Sequence, residues 1–270
     1  MIRPLTARSY LFAPGHKPHI FAKAVASGAD MVILDLEDAV APDAKAGARD
    51  AIAAWLSADT PVAVRINGTD TSWWEEDLAI CQHPGVAVVV VPKAEDPDAL
   101  KVVAARLPPG VRLLPQIESA RGLQQAGPMA EVPAVERLAF GALDFQLDLD
   151  LGDDPDALLV ARSQLVLVSR LAGRAAPVDG VTTSWDSADA VETDSRRARA
   201  LGFGGKLCIH PKQVPWVNAC FSPSARDVAW ATRVVEADQA SGGHATVLDG
   251  QMIDRPVVER ARAILARTTR

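Results

Sequence analysis

An α/β chain closed into a (β/α)8 TIM barrel, with a short C-terminal helical lid extension, is the fold this sequence predicts. Three observations predict it: eight short apolar runs, a helical pattern after each one, and polar residues gathered where the runs end. Runs such as MVILDL and VAVVVP are almost continuously apolar, as expected of strands covered by helices on one face and by a barrel core on the other. Eight such units favour closure over an open, doubly wound sheet.

In chain order, strands are expected at Ser9 to Ala13, Met31 to Leu36, Val62 to Asn67, Val86 to Val91, Arg112 to Gln116, Arg137 to Phe140, Val178 to Thr182 and Lys206 to Ile209. Helical periodicity follows them near 18–27, 43–57, 73–81, 96–105, 119–129, 155–173, 187–201 and 212–219. Start signals mark several helices: Pro18 early in the first, Asp43 before the second, Ser119 before the fifth, and Asp186 or Ser187 before the seventh. Beyond Pro223 a helix is expected from Ala225 to Ala240, then a glycine-rich turn segment, SGGHATVLDG, then a last helix from about Pro256 to Ala266. The expected division is a barrel over 1–222 and an extension over 223–270, the latter too short to carry a second domain core.

The chain has 270 residues, 49% hydrophobic and 23% charged, an ordinary globular composition with material for a large core. A net charge of -6 and the lack of a basic, aromatic-interleaved stripe argue against nucleic acid as the main partner. No run approaches membrane-spanning length, and MIRPLTARSYLF lacks a signal-type apolar stretch, so no membrane partner and a cytoplasmic location are expected. Cys81, Cys208 and Cys220 are too widely spaced for a zinc or disulfide framework and read as small hydrophobes.

In barrels of this class, functional groups gather on the loops after the strands. Glu118 in LLPQIES and Asp144 in LAFGALDF each stand where an apolar run turns polar, and two carboxylates converging there suit a hard divalent cation such as Mg2+. With Arg65 ending VAVRIN, the pocket would hold a metal beside a fixed positive charge, a combination suited to small dicarboxylates or 2-oxo acids. A lone Glu118 could simply cap the next helix; the pair with Asp144 beside Arg65 weakens that explanation. Lys93, after Pro92, fits either a rim ion pair or a role in the site, and Trp185 fits either stacking on an adenine or plugging the mouth. His210 reads as a hydrogen-bonded rim residue, since Mg2+ prefers oxygen ligands. GFGG at 202–205 precedes a strand, whereas a dinucleotide loop follows one, and neither a GxxxxGK[ST] phosphate loop nor a GxSxG elbow is present.

RSYLFAPGHKP, MVILDLEDAV, VAVRINGTDT, PKAE, LLPQIESARGL, FGALDFQLDLD, VDGVTTSWD and GFGGKLCIHPKQV together resemble the citrate lyase beta subunit-like family of the HpcH/HpaI aldolase/citrate lyase superfamily. That family includes malyl-CoA, citramalyl-CoA and citryl-CoA lyases. The likeness runs from Arg8 to Val214, and LDGQMIDRPVVERA resembles the C-terminal lid of the acyl-CoA lyase members. The resemblance implies a homotrimeric, Mg2+-dependent carbon–carbon lyase acting on a CoA thioester and releasing a 2-oxo acid. It assigns the metal to Glu118 and Asp144, and the substrate carboxylate or thioester oxygen to Arg65. Lys17, Gly141, Ala142 and Asp144 would line the substrate; Asp35, Glu37 and Asp38 would anchor metal-bound waters and Lys17. Asp254 would reach a neighbouring subunit's site as acid/base, although MIDRP also suits it to cap the final helix. Two alternatives stay open: an aldolase for free 2-oxo acids, and a subunit that works only within a larger acyl-carrier complex.

Overall fold

The computed structural model describes residues 6–152 and 154–268. Its strands are β1 (Ser9–Pro14), β2 (Met31–Asp35), β3 (Val62–Arg65), β4 (Val86–Val91), β5 (Arg112–Ile117), β6 (Ala139–Phe140), β7 (Val178–Asp179) and β8 (Gly205–Cys208). Each pairs in parallel with the next, and β1 also pairs with β8, so the sheet closes on itself as the eight apolar runs predict.

The barrel interior explains where the chemistry falls. Tyr10, Ile33, Ala63, Val90, Leu114, Ala139, Val178 and Leu207 form one buried cluster. Side chains alternate along a strand, so two residues beyond Ile33, Ala63 and Leu114 the same inner face carries Asp35, Arg65 and Gln116, with Glu118 one step further. The apolar core therefore gives way to charge at the strands' C-terminal ends.

Around the barrel lie α1 (Phe21–Val25), α2 (Lys45–Trp55), α3 (Trp74–Ile80), α4 (Pro97–Ala105), α5 (Ala120–Glu131), α6 (Ala142–Asp148), α7 (Leu159–Leu171), α8 (Ala188–Leu201) and α9 (Gln213–Phe221). Ser119 and Ser187 cap α5 and α8 by accepting from Gly122 N–H at 3.0 Å and Ala190 N–H at 3.3 Å. α5 continues through Pro128 because Met129 and Ala130 beyond it are buried. α6 differs from expectation, since its residues read as loop; seven residues give too little periodicity, and Gly141 offers no side-chain cap. β6 and β7 are also shorter than expected. Arg137 instead turns inward to donate to Ala7 O and Ala176 O at 2.7 Å each, and the Thr182 hydroxyl donates to Asp194 at 2.6 Å.

The chain changes from one compact unit to another between Asn218 and Ala219, within α9. The second unit holds α10 (Ala225–Ala240), β9 (Thr246–Leu248), β10 (Gln251–Ile253) and α11 (Arg255–Leu265). Ala231, Val234, Ile253, Val258, Ala261 and Ile264 form its buried core. The glycine-rich segment proves to be a hairpin, with Asp249 and Gly250 both at positive φ (52° and 77°) between paired Leu248 and Gln251. Among the described residues, no helix is long and apolar enough to cross a membrane.

Candidate active site

The mouth of the barrel has a closed charge network on one side. Asp35 and Arg65 are direct neighbours across β2 and β3, and Arg65 Nε and Nη2 each donate to Asp35 at 2.7 Å in a bidentate pair. Its Nη1 lies 3.2 Å from Glu37 Oε2, and its guanidinium rests 4.6 Å from the Phe12 ring centroid. Burial is the largest single influence and opposes the guanidinium's charge, but the hydrogen bonds to Asp35 together with the Asp35, Glu37 and Glu118 charges hold the Arg65 pKa above its ordinary value. Asp35 also accepts from Glu37 N–H at 3.0 Å, which fixes the turn after β2. Below that turn the buried Lys45 donates to Leu36 O at 2.8 Å and Glu37 O at 3.1 Å.

The other side is incomplete. Glu118 is only 4% exposed and accepts from Lys93 N–H at 2.7 Å and from the Gln116 amide. No cation pairs with it within salt-bridge distance among the described residues. Burial pushes its carboxyl up to about 8; the Asp144 and Glu37 charges add to the rise, while Lys93 N–H and Arg65 oppose it. Half-buried Asp144 sits in the first turn of α6, and both carboxylates line a cavity of about 1140 Å³ together with Lys93, Ser119, Arg121 and Asp148. Gly141 makes room for this arrangement: a Cβ there would lie 2.4 Å from Glu118 Cγ.

The structure thus brings Glu118 and Asp144 to one cavity wall, with Arg65 close enough for its charge to act on Glu118. Gly141 and Ala142 are buried at the start of α6. Glu37 and Asp38 form their ion pairs with Lys93, and Glu37 also with Arg65. Lys17 is exposed and has no ion pair among the described residues. Asp254 caps α11 in the second unit, accepting from Val257 N–H at 3.4 Å. His210 packs at a tilt against the partly exposed Trp185, ring centroids 4.5 Å apart and planes inclined by 41°, and Lys212 lies 5.0 Å from the same ring. Sequence reasoning placed Gln116 at a strand end without seeing its role: its amide nitrogen holds Glu118 while its buried Oε1 has no hydrogen-bond partner.

Magnesium fits these donors. They are all oxygen, and one carboxylate is buried with no salt-bridge partner among the described residues. Among the described residues, no cluster of three or more His, Cys, Asp or Glu side chains has metal-binding geometry. Two carboxylates leave most of an octahedron to water and substrate, the arrangement Mg2+ favours over an all-protein cage.

Residues 8–211 match the HpcH/HpaI aldolase/citrate lyase family. The chain is 38% identical to a citrate lyase subunit beta-like protein of Deinococcus radiodurans, over 97% of this chain and 98% of that one. It is 33% identical to a (3S)-malyl-CoA thioesterase of Cereibacter sphaeroides, over 96% of this chain and 94% of that one. The solved structure of CitE from Mycobacterium tuberculosis, in complex with magnesium, acetoacetate and coenzyme A, matches with a TM-score of 0.86 at 32% identity, covering 98% of this chain and 100% of that one. The chain therefore belongs to the HpcH/HpaI aldolase/citrate lyase family.

Proposed function

We propose that this protein is a Mg2+-dependent carbon–carbon lyase that cleaves a short 3-hydroxyacyl-CoA, of the citramalyl-, malyl- or citryl-CoA type, into an acyl-CoA and a 2-oxo acid. The observation that carries this reading is Glu118, a buried carboxylate with no salt-bridge partner among the described residues, facing a cavity with Asp144 and within reach of the charge of a buried arginine. The CitE relative bound to magnesium, acetoacetate and coenzyme A supports the same choice of ligands.

Glu118 and Asp144 would hold the metal, which when bound supplies Lewis-acid polarisation of the oxo-acid oxygens. In the cleavage, the bond between the hydroxyl-bearing carbon and the thioester α-carbon breaks. Its electron pair stays on the thioester as an enolate. The hydroxyl oxygen gives its proton to a base, a role that Asp254 as acid/base would fill before returning the proton, and the carbon that bore the hydroxyl becomes the carbonyl of the 2-oxo acid. Arg65 has five N–H groups; Asp35 accepts from two, and although Nη1 also lies 3.2 Å from Glu37 Oε2, the guanidinium keeps N–H groups for a substrate carboxylate or the developing negative charge. Asp35, Glu37 and Asp38 keep the arginine side in place, while Lys17, Gly141 and Ala142 contribute to the substrate's surroundings. The enolate carbon then needs a proton, which Asp254 of a neighbouring subunit in a homotrimer would deliver, with 1–222 acting as the catalytic barrel and 223–270 as the lid.

The thioesterase relative favours a second reading, hydrolysis of the thioester. Incubating the protein and Mg2+ with citramalyl-CoA, malyl-CoA, citryl-CoA and 4-hydroxy-2-oxo acids separates the possibilities. The lyase yields an acyl-CoA plus pyruvate, glyoxylate or oxaloacetate. Release of free CoA with an intact hydroxy acid would replace the lyase with the thioesterase, and turnover of the 4-hydroxy-2-oxo acids alone would make it a CoA-independent aldolase.

A further inference from the structure

Lys93 is one of three non-glycine residues at positive φ among the described residues, at 48°. The other two, Asp150 and Asp249, have short polar side chains that tolerate the left-handed region and lie outside the cavity lining. Lysine lacks that compensation, so the surrounding structure must hold it there. This conformation accompanies two contacts in opposite directions. The Lys93 N–H donates to Glu118 Oε2 at 2.7 Å, while its ammonium pairs with Glu37 Oε1 and lies 3.4 Å from Asp38 Oδ1. Glu37 divides its carboxylate, one oxygen to Lys93 and the other to Arg65 Nη1 at 3.2 Å. Burial is the largest single influence and works against the Lys93 charge, but the hydrogen bond to Glu37 together with the Glu37, Asp38 and Glu118 charges raises the ammonium's pKa above its ordinary value.

We propose that Lys93 is a positioning residue joining the two halves of the site. Its left-handed backbone aims an N–H that fixes Glu118, and its ammonium fixes Glu37 and, through it, Arg65. The proposal rests on the Mg2+-dependent lyase reading and deepens it. The two functions use different parts of one residue, so substitutions separate them. Lys93→Gly keeps the N–H and adopts the left-handed region without strain, but removes the ammonium. Lys93→Val resists that region, and Lys93→Arg retains the charge.

Magnesium binding to metal-free protein, measured by calorimetry, reads the backbone role; kcat/KM with citramalyl-CoA reads the ammonium's role. Lys93→Gly is expected to bind Mg2+ within about threefold of wild type while losing about 10–100-fold in kcat/KM, the usual effect of removing a supporting contact. Lys93→Arg is expected to regain most of that loss, and Lys93→Val to lose about tenfold or more in Mg2+ affinity. A purely structural role would lower the unfolding midpoint without this split. If Lys93→Val fails to fold, the glycine variant decides alone: about tenfold weaker Mg2+ binding, or unchanged kcat/KM, overturns the proposal. A wild type that neither binds Mg2+ nor cleaves any of the CoA thioesters defeats the lyase reading itself. A working wild type with indifferent variants defeats only the role of Lys93.

Discussion

The two sides of the barrel mouth are built on opposite principles. On the Asp35–Arg65–Glu37 side every buried charge has a partner inside the protein, in a bidentate pair with an ion pair behind it. On the Glu118–Asp144 side, hydrogen bonds aim the buried carboxylate, yet among the described residues no cation reaches salt-bridge distance of it, and burial outweighs the more distant Arg65 charge. A self-neutralised group keeps its geometry whether or not ligand is present, which is preorganisation. Glu118 instead carries an unfavourable ionisation that a bound cation relieves. The arginine side is thus expected to hold the fold as well as the substrate, and the metal side to serve binding at some cost to the empty fold.

Substitutions break this contrast with effects of decreasing size. Arg65→Ala strands Asp35 and Glu37 in the interior, and urea unfolding is expected to show a loss of about 3–5 kcal/mol, with kcat/KM down about 10³-fold. Near-normal stability would mean that the network is not self-supporting. Glu118→Gln is expected to weaken Mg2+ binding by at least about 10²-fold in calorimetry, while metal-free stability above about pH 8 stays level or rises, since no buried charge has to form. A large loss of stability there would place Glu118 with the structural half. Asp254→Asn keeps a capping oxygen for α11, so stability should stay within about 0.5 kcal/mol while turnover falls about 10²-fold. Mixing these subunits with Arg65→Ala subunits should restore activity above either parent if Asp254 serves a neighbour. Gly141→Ala would crowd Glu118 and is expected to cost about tenfold in Mg2+ affinity, with a smaller effect on Arg65-dependent substrate binding.

The sequence exposed the two halves unequally. The barrel was legible because each strand is a run of apolar residues covered on both faces, and run ends pointed to Glu118, Asp144 and Arg65. The partnership of Asp35 with Arg65 was not, because it depends on the β2–β3 register, which neither strand encodes alone. α6 escaped notice because seven residues hold two turns, and the β9–β10 hairpin because its three-residue strands flank the Asp249-Gly250 turn too briefly to show alternation. For Lys93 the sequence offers a rim ion pair or a role in the site, but not its backbone conformation. Positive φ in glycine has a residue signature, but in lysine it is imposed by surrounding contacts that a single sequence does not display.

The most direct test of the uncompensated carboxylate is Mg2+ affinity of the wild-type protein as a function of pH. Folding raises the Glu118 pKa from 4.5 to about 8, so its contribution to metal-free stability is full below the unfolded value and is lost as pH rises through the folded one. Magnesium requires the ionised form and must displace the proton below that point. Calorimetric titrations from pH 6 to pH 9 are expected to show affinity rising about tenfold per unit up to about pH 8 and then levelling, with a larger Mg2+-induced rise in unfolding midpoint at pH 8.5 than at pH 6.5. Affinity that is flat from pH 6 to pH 9 would contradict the account, because Glu118 would then already be ionised without the metal.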